Sequence, residues 1–451
     1  MKRTAIDNLI TWNQASDVRP VLLTGAKGVG KTYLAYDFAK AFFKCILYLN
    51  FEHDPKAAAL FQDKDPFKVS NLLLEHFNLD AVHNESKSKA MNNIELKAID
   101  IDEEAIEDKI LILDEISDCP EALEMITALQ FTGEFPKIIA ISSRPLIKDE
   151  LELYYHIPIY PLQFDEFLVA IGKDWYIEAI ITHFDNNKEI PYIVHKELLA
   201  LHNLYIQIGG MPGIVNEYLN FNNLSNIAEQ HSLLMGTYQH YQGLINSDDG
   251  QALKMNQVLN CLPIQLTKNN KKFQYKLIRK GTTHAMYKDA IQLLSDQNHV
   301  IPAYKIVSEE LSTINKAIEE DRLNVTDMTS FKLYLSDVGM LYSRLYSSQT
   351  TPFDKEAKKA LLENYIAQAF QSKGYPVVFW ESDSMAKIEF LLIKDKDLIP
   401  VEIFCDKNTR SKSVSVLKQK IDFPYSIKIS SKNFEFSNNV KYVPYYAVFC
   451  L

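Results

Sequence analysis

Gly25-Ala26-Lys27-Gly28-Val29-Gly30-Lys31-Thr32 follows a short apolar run, Val21-Leu22-Leu23-Thr24, and opens a helical pattern from Lys31 to about Phe43. It is a complete G-x4-G-K-[ST], set between strand and helix as a phosphate-binding loop requires. Glycines let backbone N–H groups close around phosphate oxygens at the positive end of the following helix. A lysine at position 31 then reaches the β- and γ-phosphates, and the hydroxyl of Thr32 ligates Mg²⁺. The residues expected to hold ATP are therefore Gly25, Ala26, Lys27, Gly28, Val29, Gly30, Lys31 and Thr32.

Working outward, Lys109-Ile110-Leu111-Ile112-Leu113-Asp114-Glu115 reads as a buried strand ending in two carboxylates. Such an ending is weak alone, but downstream of a P-loop it takes the form of a Walker B segment. Asp114 would join the nucleotide site and hold magnesium together with Thr32, and Glu115 would polarise the attacking water. A third apolar run, Ile138–Ile141, leads into Ser142-Ser143-Arg144. If its strand neighbours the other two, Ser143 could bond the water or γ-phosphate and Arg144 could stabilise the transferring charge. The competing reading is a solvated turn with Arg144 paired to a surface acid. No Asn-Lys-x-Asp follows the loop, so nothing points to guanine.

Short apolar runs alternating with helical stretches are the mark of a buried parallel sheet. Cys45–Leu49 completes the series, which places an α/β P-loop domain over residues 1–160. Residues 161–250 read as a helical lid, broken at Gly209-Gly210-Met211-Pro212-Gly213. Residues 251–330 read as short helices followed by Val300-Ile-Pro-Ala-Tyr, which suggests a winged helix-turn-helix. Within them, Thr282–Asp296 places Met286, Ala290, Leu293 and Leu294 on one side and His284 and Lys288 on another. Residues 331–451, with a helix near Lys355–Lys373 and apolar runs at Val377–Trp380, Ile388–Ile393, Leu398–Phe404 and Tyr445–Phe449, read as a second α/β domain.

At 451 residues the chain needs several cores. No apolar run reaches the roughly 18 residues of a spanning helix, so no membrane contact is expected. The opening Met1–Ile10 lacks the apolar segment and cleavage site of a signal peptide. The five cysteines are far apart and form no CxxC, which speaks against zinc or disulfides and for a cytoplasmic location. A net charge of −10 argues against a protein coated with basic surface for nucleic acid. Charge is uneven, however: 100–108 is strongly acidic, while Lys268, Lys271, Lys272, Lys276, Arg279 and Lys280 have no acid between them. The expectation for each run is a solvated face.

The chain resembles the bacterial and archaeal AAA+ ATPases that join an N-terminal P-loop domain to a C-terminal domain of uncharacterised function. The likeness rests on Tyr48-Leu-Asn-Phe-Glu-His-Asp-Pro, Pro161-Leu-Gln-Phe-Asp-Glu-Phe-Leu, Gly209-Gly-Met-Pro-Gly, Phe331-Lys-Leu-Tyr-Leu-Ser-Asp-Val-Gly and Leu362-Glu-Asn-Tyr-Ile-Ala. It implies an AAA+ core, a helical lid with the Gly-Gly element near the nucleotide, a winged helix and a restriction-endonuclease-like domain. Glu363 and Glu389 match acidic positions of such nucleases, and Glu402-Ile403-Phe404 matches their Glu-x-Lys. Phe404 replaces the metal-site lysine, and Lys387 stands where an acid is common, so the endonuclease-like domain is expected to be inactive.

The resulting expectation is a slow, Mg²⁺-dependent ATPase whose hydrolysis switches the lid and C-terminal domains. The alternatives are a nucleotide-gated regulator of DNA or a protein partner without significant turnover, with DNA met through the winged helix, and an ATP-coupled nuclease. Glu115 favours hydrolysis, because a pure switch needs no general base.

Overall fold

The computed structural model describes residues 3–15, 19–78, 109–144, 146, 151–245, 249–306, 314, 318, 330–347, 354–382, 385–406 and 409–451. The acidic run 100–108 and most of 307–329, within the region 251–330 read as a winged helix-turn-helix, lie outside the described residues. These divide into two compact units, Arg3–Ile159 and Tyr160–Leu451.

In the first unit α1 (Ile6–Gln14) precedes β1 (Val21–Thr24) and α2 (Lys31–Phe42). Then come β2 (Cys45–Asn50), α3 (Pro66–His76), β3 (Lys109–Asp114), α4 (Pro120–Gln130), β4 (Ile138–Ser142) and β5 (Tyr155–Pro158). The sheet order is β2-β3-β4-β1-β5, and every pairing is parallel. β3 and β4 are buried along their whole length, as strands covered on both faces must be. One face is covered by α3 and α4, whose Val69, Leu73, Ile126 and Leu129 pack with Leu22, Leu111, Leu113 and Ala140. α2 touches β3 and β4, burying Leu34, Ala35, Phe38 and Ala39, a spacing that keeps one helical stripe against the sheet. α1 joins it through Trp12 and Phe38, with ring centroids 6.3 Å apart.

The second unit begins with α5 (Phe164–Ala170), α6 (Trp175–Asn186), α7 (Tyr192–Ile208), α8 (Pro212–Phe221), α9 (Ile227–Ile245), α10 (Asp249–Leu266) and α11 (His284–Asp296). β6 (Val300–Lys305), β7 (Phe331–Leu335), α12 (Val338–Ser347), α13 (Lys355–Ser372), β8 (Val378–Glu381), β9 (Lys387–Ile388), β10 (Phe390–Lys394) and β11 (Asp397–Ile403) follow. The chain closes with α14 (Ser413–Lys418), β12 (Ser426–Ser430), β13 (Glu435–Ser437) and β14 (Val440–Pro444). Two sheets result, β7-β6-β8-β9 and β10-β11-β12-β14-β13.

The boundary read at 330/331 falls between β6 and β7, which pair antiparallel, and β6 also pairs parallel with β8. One sheet therefore crosses that line. α11 turns Tyr287, Ala290, Ile291 and Leu294 inward and leaves Met286 40% exposed, a rotation from the face read in the sequence. Tyr287 carries the reason: its hydroxyl bonds Gln257 Oε1 at 2.5 Å, so an amphipathic ring serves as a core residue. Tyr445–Phe449 is a 3-10 turn rather than a strand, and the strand is Val440–Pro444 just before it.

α13 is buried on nearly all sides from Ala357 to Phe370 and touches both sheets. Its polar residues work as connectors. Asn364 accepts from and donates to the backbone of Leu335 at 2.8 and 2.9 Å, and Gln368 accepts from Val338 N at 3.0 Å. Two separated motif segments meet between α7 and α8. Asp337 accepts from Gly210 N at 2.6 Å, and Leu162 N donates to Gly210 O at 2.7 Å. Gly209 has φ +79, and a Cβ on it would lie 2.2 Å from an Asp337 carboxylate oxygen, so only glycine fits there.

Candidate functional site: a lysine, two carboxylates and a serine at the P-loop

The P-loop joins the carboxyl end of β1 to the first turn of α2, where unpaired helix N–H groups gather. Gly25 has φ +147, and a Cβ would stand 2.2 Å from the carbonyl oxygen of Ile159, so the loop's entry is fixed by close backbone approach. Because β4 runs between β1 and β3, its end brings Ser143 and Arg144 to the same edge as Lys31, Asp114 and Glu115.

Two branches of hydrogen bonds organise these side chains. In the first, Lys31 Nζ donates to the carbonyls of Gly25 and Ala26 at 2.9 and 3.1 Å and to Ser143 Oγ at 2.8 Å. Ser143 Oγ donates in turn to Glu115 Oε1 at 2.5 Å, and Ser143 N donates to Glu115 Oε2 at 3.1 Å. In the second, Thr32 Oγ1 and the Tyr48 hydroxyl both donate to Asp114 Oδ2 at 2.8 Å. The branches join where Glu115 N donates to Asp114 Oδ1 at 2.9 Å. Glu115 sits at φ 51, ψ 47, a left-handed conformation costly for a residue with a Cβ, which turns its carboxylate toward Ser143.

Burial sets the charges. Lys31 is only 5% exposed, and desolvation lowers its pKa to about 8 against the opposing fields of Glu115 and Asp114. Desolvation also raises the pKa of Glu115, with the Lys31 ammonium and the Ser143 hydrogen bonds opposing it. The hydroxyl of Thr32 and the carboxylate of Asp114 are hard oxygen donors already side by side, a donor set that fits magnesium.

The remaining sequence-read positions are less central. Lys27 forms an ion pair with Glu52. Arg144, whose side chain is 28% exposed, forms one with Asp118, so the guanidinium is held at the rim. Tyr48 was not singled out as a site residue. The sequence signal was available: Tyr48 and Asn50 are polar groups two apart at the end of an otherwise apolar strand, and so share a face. On the strand beside β1, His156 Nε2 lies 2.7 Å from Thr24 Oγ1.

The acidic positions read in the C-terminal half are held by lysines. Glu363 accepts from Lys271 Nζ at 2.7 Å and from the Tyr334 hydroxyl at 3.0 Å. Glu389 accepts from Lys359 Nζ at 2.6 Å, not from Lys387. Glu402 lies 3.7 Å from Lys428 Nζ, which also stands 5.6 Å from the Phe404 ring, so the neighbouring strand brings the cation that position 404 lacks. The basic stretch is likewise not one solvated face. Lys271 is buried on Glu363, and Lys272 pairs with Glu381 at 2.8 Å.

Among the described residues no single helix is long and apolar enough to cross a membrane. α7 and α8 pass that test only together and meet at 117°. Residues 17–168 match a family model described as an AAA domain. Residues 200–351 and 358–448 match two domains of unknown function, DUF8612 and DUF4143. No curated protein sequence matches the chain. Among solved structures, the chain is similar to the Walker-type ATPase PABY2304 of Pyrococcus abyssi, with 14% identity, 76% of this chain and 95% of that chain covered, and a TM-score of 0.41. It is also similar to the ORC1 protein of Aeropyrum pernix in complex with DNA, with 12% identity, coverage of 76% and 90%, and a TM-score of 0.29. For AMPPCP-bound DnaA of Aquifex aeolicus the identity is 12%, the coverage 64% and 86%, and the TM-score 0.26. With its parallel sheet, its complete P-loop and the matched family model, the Arg3–Ile159 unit is an AAA-type ATPase-like domain.

Proposed function

We propose that the protein is a slow Mg²⁺-dependent ATPase in which Glu115 is the general base. The observation that carries this reading is the Lys31–Ser143–Glu115 chain of hydrogen bonds, which ties the phosphate-binding lysine to the carboxylate that would take the water's proton. On ATP binding Lys31 exchanges its contacts with Gly25 O, Ala26 O and Ser143 Oγ for β- and γ-phosphate oxygens. That exchange frees Ser143 and, through it, Glu115, which can then orient water and accept its proton. Thr32 and Asp114 would hold magnesium, which supplies charge neutralisation at the phosphates. Arg144 adds positive charge once it leaves Asp118. Hydrolysis would then act as the switch for the helical lid and the C-terminal half.

ATP turnover of the wild type and Glu115→Gln tests this reading. The variant should keep ATP affinity and lose turnover by roughly 10²–10⁴-fold, the usual contribution of a positioned base. Equal turnover would reduce Glu115 to a strand-end residue and leave a nucleotide-gated binding protein. DNA contact through the region read as a winged helix would then fall to the exposed Lys276, Arg279 and Lys280.

The C-terminal half is read as endonuclease-like in fold and without cleavage. Lys428 brings a cation to Glu402, but Glu363 and Glu389 are committed to Lys271 and Lys359, which leaves too few open carboxylates for a metal. Plasmid, linear and single-stranded DNA should all stay intact with Mg²⁺. Cleavage that disappears in Glu402→Ala would overturn this.

A further inference from the structure

A cleft of about 340 Å³ opens in the Tyr160–Leu451 unit between α13, β7, the ends of β8 and β9, and the turn after α10. Six lysines line it: Lys268, Lys271, Lys332, Lys355, Lys359 and Lys387. Four glutamates share the lining, which leaves an excess of two positive charges when all are ionised. The excess is larger in effect, because Lys272 neutralises Glu381 from beyond the lining.

The lysines are not equivalent. Lys271 and Lys359 are spent on Glu363 and Glu389 at 2.7 and 2.6 Å. Lys268, Lys355 and Lys387 are exposed at the mouth and form no ion pair among the described residues. Lys332 is the unusual one. Its side chain is 7% exposed, its nearest carboxylate oxygen (Glu363 Oε2) is 3.9 Å away, and its ammonium stands 4.4 Å from the centre of the Phe379 ring. Among the described residues its Nζ has no hydrogen-bond acceptor within reach. A largely buried ammonium with no acceptor at hydrogen-bond distance is costly unless something supplies one. Burial pulls its pKa down, while Glu363 and Glu389 oppose that fall.

We propose that this cleft binds a phosphate monoester dianion, seated on Lys332 at its floor and on Lys355 and Lys387 at its mouth. An excess of at least two positive charges suits a dianion better than a single carboxylate, which would leave more of it uncompensated. The volume lies at the small end of ligand pockets, enough for a phosphate with its sugar and too small for a duplex. Because Glu363, Glu381 and Glu389 are already held by lysines, the site needs no metal.

The full-length chain carrying Lys31→Ala, so that the P-loop does not take phosphate, is titrated in EDTA with four probes. These are inorganic phosphate, a nucleoside 5′-monophosphate, a 5′-phosphorylated oligonucleotide and its 5′-hydroxyl counterpart. The three phosphate monoanion or dianion sources should bind, and the 5′-hydroxyl strand should bind at least about tenfold more weakly. Lys332→Met and the double variant Lys355→Glu/Lys387→Glu should each weaken binding by about tenfold or more, as expected for losing a charge-assisted contact. The double variant changes only exposed side chains, so it retains its fold, and a melting curve for each protein verifies this. A mononucleotide binding as tightly as the phosphorylated strand assigns a free nucleotide, and a tighter strand assigns a nucleic-acid end; both support the site. Failure of all probes, equal binding of the 5′-hydroxyl strand, or unchanged affinity in both variants overturns it.

Discussion

Lys31 and Lys332 are both buried ammonium groups, 5% and 6% exposed, yet the two units house them in opposite ways. Lys31 has three oxygens at hydrogen-bond distance, two of them backbone carbonyls of its own loop. Lys332 has one carboxylate at 3.9 Å and an aromatic face. An ammonium has three protons to donate, so the first is saturated and the second is not. A ligand reaching Lys31 must trade contact for contact, which suits a site that binds, reacts and releases. A ligand reaching Lys332 adds contacts that were missing. The first site is built from one loop and the strand ends beside it, and the second from segments scattered between residues 268 and 389.

The largest effect that would sharpen this comparison comes from Lys271→Met. Glu363 is 2% exposed and loses its closest cation, which costs about 3–5 kcal/mol when one partner of a buried pair is removed. Urea unfolding measures it. A loss under about 1 kcal/mol would mean that Lys332 moves onto Glu363 and is not free for a ligand. Next, Lys31→Ala should weaken ATP binding about a hundredfold or more, since a charge-assisted contact to two phosphates disappears. Calorimetry showing unchanged affinity would break the P-loop assignment.

The smallest effect is in pH. The pKa of Lys31 in the free protein is about 8, below its ordinary 10.5, and phosphate binding requires the charged form. ATP affinity should therefore fall by about tenfold between pH 7 and pH 9 as the free amine loses its proton. The sign for folding is the opposite. Between pH 8 and 10.5 the unfolded chain binds the extra proton, so this group's contribution to stability rises with pH across that window. Flat ATP affinity over the same range would show that the lysine stays fully charged in the free site.

Much of the first unit is legible because its signals are local. A glycine loop between an apolar tetrapeptide and a helix, then Ile-Leu-Ile-Leu running into Asp114-Glu115, require only that neighbouring residues share an environment. The contact of Ser143 with Lys31 depends on β4 lying between β1 and β3, which the sequence could pose only as a condition. Tyr48 shows the limit: its polar neighbour Asn50 marks the strand face, but its partner Asp114 is 66 positions away, and nothing local names that pairing.

The amino-acid sequence by itself determined the P-loop, the carboxylate-ended strand and the α/β character of the first 160 residues, because strand burial, helix stripe and glycine freedom are written in contiguous residues. Tertiary structure alone decided which charges meet. It buried Lys271 on Glu363, gave Glu389 to Lys359 rather than Lys387, set Lys428 beside Glu402, and left Lys332 with no acceptor at hydrogen-bond distance among the described residues. The physical reason is range. Secondary structure follows from neighbours a few residues apart, whereas an ion pair forms wherever the folded chain brings two side chains within about 4 Å, whatever their separation in sequence.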